Sequence, residues 1–204
     1  ILKNTNIVDN KGKAVAASGQ YFNLDKPGVM ARIVAIMYTD RVKIKKAMIE
    51  SRKELEIVDS ENKQEVYRIE RDIAHYQNEQ MTLKLLLNSL YGAMGNRYFR
   101  FFDQRIAEAI TLTGQLTIRW GEVALNKALN RILKTEGKDY VIAIDTDSLY
   151  VNLAPLVEKL NPENNIDFLN KVCKELEKHL QKAYEELFNI MGGTINKMVM
   201  SREV

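Results

Sequence analysis

The chain has a single cysteine, Cys173, among 204 residues. A disulfide within the chain needs two, and a cysteine-rich zinc site needs more, so both are excluded. Histidine is almost as scarce. His75 and His179 stand far apart, each inside a helical pattern, which argues against a histidine-based metal site and for two surface helix residues. No apolar run approaches ~18 residues, so no membrane-spanning helix is expected, and no signal-peptide pattern opens the chain. Repeats and low-complexity segments are missing as well. Charge of one sign is not in large excess: 30 Lys and Arg face 27 Asp and Glu, a net charge of +3. A balance this mild admits a polyanionic partner and equally a plain mixed-charge surface. The absences fit a cytoplasmic setting without a membrane.

What is present is helix, in long runs. Hydrophobic residues make up 46% of the chain, enough for one large domain or two small ones. Residues 1–27 read as extended segments with turn signals at "DNKGK" and "DKPG" around a weak strand or loop, "AVAASGQYFNL". After Pro27-Gly28 the pattern changes. From Val29 to Ile57 the residues Ile33, Ile36, Met37, Ile44, Ala47 and Met48 fall on one helical face. A turn at "VDSENKQ", with Asp59 or Ser60 as N-cap, leads to a second helix from Glu61 to Met94. The two are expected to pack as an antiparallel hairpin. A third helix runs from Gln104 to Thr135. "YVIAIDTDSLYVNL" reads as a β-hairpin, followed by a helix from Ile166 to Met191 that Gly192-Gly193 stops. Thr194 to Val204 reads as a closing strand. The expected fold class is α+β: a helical hairpin inserted in a partial antiparallel sheet backed by helices. The first residue, Ile1, and the strand-like ending "NKMVMSREV" read as a piece of a longer or split polypeptide.

Three stripes carry chemistry. In "LKLLLNSLYGAMGNRYFRF", Lys84, Asn88, Tyr91 and Gly95 fall within an arc of ~60° on one helix face. Beside them Leu83, Leu86, Leu87, Leu90 and Met94 form an apolar face, read as core. A lysine, an amide and a phenol aligned on a packed helix suit a ligand face, or a solvated one. On the first helix Arg41, Lys45 and Arg52 make a basic stripe that could face Lys84, and converging cations suit a polyphosphate. Beyond the second helix Arg97, Arg100 and Arg105 alternate with Tyr98, Phe99, Phe101 and Phe102. Such a mixture can hold a nucleic-acid backbone; here a core role is expected for most of the aromatics.

The oddest stretch is "VIAIDTDSLY". Apolar residues run up to Asp145 and resume at Leu149, with Asp147 between. On one extended strand Asp145 and Asp147 point to the same side, about 6–7 Å apart. Like charges held close in an apolar setting either protonate or gather a cation. Mg²⁺ suits them, because it needs only one or two carboxylates plus waters and substrate phosphates. The other reading is an Asx-type turn bonding its own backbone.

"KLLLNSLYG" and "DTDS" together resemble two signatures of family B DNA polymerases, the K-x-x-x-N-S-x-Y-G finger helix and the D-T-D-S palm hairpin. Their order and separation fit, and "GNRYFRFFDQRIAEAITLTGQLTIRW" between them is most similar to the replicative polymerases of tailed bacteriophages. The resemblance covers the chain from about Ala17 onward. It implies template-directed transfer of a nucleotide from a dNTP to a primer 3′-OH with two Mg²⁺ ions. It implies that Lys84, Asn88, Arg41 and Lys45 bind the triphosphate, that Tyr91 and Gly92 lie against the nascent base pair with Gly95 near the DNA, and that Asp147 is the direct metal ligand with Asp145 supporting it. It further implies a partial palm at 1–27, fingers at 28–96 and palm at 97–204. Primer-template DNA, dNTP and the remaining polymerase segments are the implied partners, with self-association through an open sheet edge a further expectation.

The sequence departs from the family in three places. Ile144 stands where a glycine is usual before the first aspartate. Only 42 residues lie between Arg41 and Lys84, which implies short fingers. Nothing like the upstream D-x-x-S-L-Y-P-S signature occurs between Ile1 and Pro27, and the primer-gripping segment, thumb and exonuclease are missing. The chain alone is therefore expected to be inactive. A protein-primed family B polymerase and a non-catalytic nucleic-acid-binding remnant are the alternatives.

Overall fold

A computed structural model describes residues 12–202 of the chain. Its elements are β1 (Lys13–Val15), β2 (Tyr21–Asn23), α1 (Val29–Ile57), α2 (Lys63–Met94), α3 (Gln104–Leu133), β3 (Val141–Asp145), β4 (Ser148–Val151), α4 (Ala154–Leu160) and α5 (Asn165–Met191). The described residues thus form an α+β fold, five helices with two antiparallel two-stranded sheets, β1-β2 and β3-β4. The chain divides into two compact units, Asp25–Ala107 and Ile1–Leu24 with Glu108–Val204.

The first unit is built on the antiparallel α1/α2 hairpin. Its seam follows the alternating four-three spacing of a coiled coil. Met37, Arg41, Ile44, Met48, Ser51 and Leu55 are covered on α1, and Ile69, Ile73, Tyr76, Gln80, Leu83, Leu87, Leu90 and Met94 on α2. Two helices share one seam, so apolar residues off it stay uncovered. Ile33 and Ile36, expected on the buried face, are exposed, as is Leu86 at 49%. The α2 N-cap is Asn62, whose side chain accepts from the Glu65 amide, and not Asp59 or Ser60. Asp59 instead accepts from the Glu61 amide in the turn.

In the second unit the β3-β4 hairpin lies against α3 and α5. Leu125, Val141, Leu180 and Tyr184 form one core cluster, with Ile144 and Leu149 packed on it. Leu129, Leu133, Tyr140 and Leu156 form a second. Each such large side chain stabilises the fold by about 1.5–3 kcal/mol through apolar burial. Gly121 permits a close approach: a Cβ there would meet the Tyr184 hydroxyl at 2.6 Å and Leu149 Cδ1 at 3.2 Å. Burial pushes the Tyr184 phenol above its ordinary pKa. Trp120 Nε1 ties α3 to α5 by donating to the Ala183 carbonyl at 2.9 Å. The loop after β1 is held to α3 where the Ala17 amide donates to Thr113 Oγ1.

Two expectations for the second unit need correction. The residues from Thr194 to Arg202 form no strand. Their alternation is real, since Asn196, Met198 and Met200 are covered while Ile195, Lys197 and Val199 are exposed, but among the described residues no neighbouring strand supplies a ladder. Met198 and Met200 dock on the α3/α5 core instead, and the Arg202 amide donates to Glu177 Oε1. The short helix α4, with a proline in its first turn, went unread. Gly192 does end α5, in the left-handed conformation at φ 69°. The reading of residues 1–11 as extended lies outside the described residues. No helix among the described residues is long and apolar enough to cross a membrane.

Candidate functional site

The acidic turn is the tip of the β3-β4 hairpin. Asp145 pairs with Ser148, so Thr146 and Asp147 are the two loop residues. The acidic turn therefore joins the two strands as the hairpin reading expects, and Asp147 does not share a strand with Asp145. Thr146 has φ +49°, a left-handed backbone that costs a β-branched residue about 1–2 kcal/mol. Its hydroxyl donates to Asp145 Oδ1 at 3.1 Å. Both carboxylates are exposed.

A β-bulge decides which way Asp145 points. The register shifts between Val141 and Ala143, so that Val141 faces Val151 while Ala143 faces Tyr150. Val141 is buried, Ile142 and Ala143 are exposed, Ile144 is half-buried and Asp145 is exposed. Strict alternation from Val141 would carry residues 143 and 145 into the core. The extra residue at the bulge flips the phase, so Ile144 takes the inner face and Asp145 emerges. Ile144, anomalous as a glycine replacement, thus has a packing role.

Sequence reasoning missed the residues that hold this hairpin. Asn126 on α3 accepts through Oδ1 from the amides of Tyr140 (2.8 Å) and Val141 (3.1 Å), and its Nδ2 donates to Asp139 Oδ1. One turn on, Asn130 accepts from the Lys138 amide and Thr135 Oγ1 and donates to the Lys138 carbonyl. A polar clamp therefore fixes the entry of β3. The signal was available: two asparagines four apart inside a helix, where their side chains normally disfavour it.

Below the turn, a cleft of about 670 Å³ runs along β4. It is lined by Asp147, Ser148 and Tyr150 on one side and by Cys173, Glu177 and Arg202 on the other. Among the described residues no group of three or more Asp, Glu, His or Cys side chains gathers in a way that could hold a metal ion. The two carboxylates fit a partial Mg²⁺ donor set, exposed hard oxygens on a fixed turn with room for water and phosphate, and do not make a closed site.

The other candidate residues lie in the Asp25–Ala107 unit. Lys84, Asn88 and Tyr91 occupy one exposed stripe of α2, which Gly95 terminates as C-cap. A Cβ on Gly92 would meet nothing within 4 Å, so packing within the chain does not require glycine there. Lys45 and Arg52 are exposed on α1. Arg41 differs, because it sits in the seam with its Nε buried and without a hydrogen-bond partner among the described residues. The ion pair of Arg68 with Glu54 at 2.9 Å marks which residues of the two helices stand opposite each other. Counting back along both helices brings Arg41 level with Gln80 and Met81, about one turn from Lys84.

The aromatics after α2 are largely uncovered, against the expected core role. Tyr98 is 81% exposed and Phe101 52%. Arg97 lies 4.9 Å from the Tyr98 ring centroid and Arg100 5.7 Å from that of Phe101. Neither histidine joins a metal-binding cluster among the described residues. His179 is half-buried against the Ala124 carbonyl, while the exposed His75 faces Glu79 at 3.7 Å.

Comparison with known proteins places the chain among the DNA polymerases. The sequence profile of DNA polymerase family B matches residues 4–200, and the chain belongs to that family. It is 36% identical over 145 residues to the DNA-directed DNA polymerase of Escherichia phage RB69, covering 68% of this chain and 16% of that protein. It is 40% identical over 131 residues to the DNA-directed DNA polymerase of Enterobacteria phage T4, covering 61% and 15%. A more distant relative is the DNA polymerase alpha catalytic subunit of Leishmania donovani, 27% identical over 164 residues, covering 79% and 11%. The likeness to phage polymerases read from the motifs therefore holds. The chain spans about a sixth of the length of these phage relatives.

Proposed function

We propose that this chain is part of the catalytic core of a DNA-directed DNA polymerase, transferring a nucleotide from a dNTP to a primer 3′-OH on a DNA template. Residues 28–96 serve as fingers, and 1–27 with 97–204 as part of the palm. The observation that carries the reading is the β3-β4 tip, where a bulge turns Asp145 outward and a left-handed Thr146 sets Asp147 beside it. Nothing in the packing of the hairpin requires two exposed carboxylates on a strained turn, and strain of this kind concentrates at functional sites.

Asp147, supported by Asp145, would hold Mg²⁺, which when bound supplies charge neutralisation at the phosphates and activation of the attacking hydroxyl. Lys84 and Asn88 bind and orient the triphosphate from α2, and Arg41 and Lys45 hold its outer oxygens from α1 through charge-assisted hydrogen bonds. Tyr91 lies against the nascent base pair, and the open space at Gly92 admits a close neighbour where a side chain would not.

The test is Asp147→Ala in a complete polymerase carrying this segment. Primer extension should be lost while primer-template affinity changes less than about threefold, since the carboxylate is not a phosphate contact. Retained incorporation would reject the assignment. The isolated 204-residue chain, with two carboxylates of the set, should give no Mg²⁺-dependent extension in the same assay.

A further inference from the structure

Away from the acidic turn, α3 and α5 enclose a groove of about 540 Å³. Its floor is apolar and mostly small: Trp120, Ala124, Ala128 and Ala183, with Val123 39% exposed at its margin. Its rim is cationic. Lys127 and Arg131 stand one turn apart on α3, and Lys182 stands on α5. All three are exposed. None has an ion-pair or hydrogen-bond partner among the described residues, although Arg119, Lys178 and Arg202 nearby are each engaged. Glu186 is the single carboxylate on the rim.

We propose that this groove docks an acidic amphipathic helix of a partner protein. The small floor residues let a third helix approach two packed ones closely, in the way grooves take ridges. The lined stretch of α3, from Trp120 to Arg131, is about 16 Å long at 1.5 Å per residue, enough for about three turns of a partner. Lys127 and Arg131, four residues apart, match carboxylates spaced three or four apart on the incoming helix. A nucleic acid fits less well. The groove's two aromatic rings, Trp120 and His179, are both half-buried, Trp120 Nε1 is committed to the Ala183 carbonyl and His179 Nε2 lies against the Ala124 carbonyl, so bases find no open stacking platform.

Trp120 is the only tryptophan in the chain, so its emission reports occupancy of the groove. The probe is a tryptophan-free synthetic helix of about 16 residues, with leucines on one face and glutamates flanking them. Saturable binding with a shift in Trp120 emission is expected. The double variant Lys127→Glu with Arg131→Glu should weaken it about tenfold or more, as lost complementary charge does at an interface. A scrambled peptide of the same composition should bind no better than the variant complex. Equal binding by the scramble, unchanged affinity in the variant, or displacement of the peptide by a single-stranded oligodeoxynucleotide would overturn the proposal. If the charge reversal disturbs the helices by circular dichroism, Lys127→Ala with Lys182→Ala supplies the same comparison without introducing repulsion.

Discussion

Asn126 shows how much a single side chain can decide. One amide oxygen takes two backbone N–H groups at the start of β3, and both sites are partly buried. Leaving such donors unpaired costs about 1–3 kcal/mol each. Asn126→Ala should therefore destabilise the chain by about 2–6 kcal/mol in urea unfolding, toward the lower end because both sites are only partly buried. A loss under about 1 kcal/mol would mean that water replaces the amide. Sequence reading found the aspartates at the tip because paired charges in an apolar run are conspicuous. It did not find the asparagines that hold the tip. Asn126's partners lie 14 and 15 residues away along the chain and are backbone groups, which carry no sequence signature.

At the scale of elements, the four long helices were legible to within about two residues, whereas the seven-residue α4 was too short for a periodic pattern to show. Val29–Ile57 and the end of α2 at Met94 fall where periodicity put them, since a long 3.6-residue pattern integrates over many positions. The hairpin was legible too. The closing strand was not. Alternation from Ile195 to Met200 reports burial on one side, and burial on one side does not create a ladder. The seam of α1 and α2 was legible only in part, because apolarity spread over Ile33, Ile36 and Leu86, whereas coverage follows the narrower four-three row. That row includes Arg41. Replacing it by an unbranched apolar residue should relieve the buried donor. Arg41→Met is expected to raise the unfolding free energy by up to about 1 kcal/mol, read from helical signal on heating, while weakening dNTP binding in a complete polymerase. A drop in stability together with unchanged dNTP affinity would show that the arginine serves packing alone.

For the molecule as a whole, the sheet that bears the aspartates has only two strands among the described residues, fewer than an exposed sheet normally needs to stand alone. Ile142 and Tyr150 on the hairpin are 69% and 52% exposed, and Val199 nearby is 75% exposed. Unpaired strand edges bordered by uncovered apolar side chains favour pairing with another chain. Sedimentation velocity should show association rising with protein concentration, and a single monomeric species across the accessible range would count against it. Within that sheet, Ile142 has a role unlike that of its neighbours. Its side chain makes no part of the core, so many residues can stand there. Its presence, however, sets the count that turns Asp145 toward solvent. Position 142 therefore works as a spacer, free in identity and fixed in number. Substitutions there should be mild, whereas deleting it would send a carboxylate into the apolar interior and bring Ile144 out, inverting the hairpin without altering any residue at its tip.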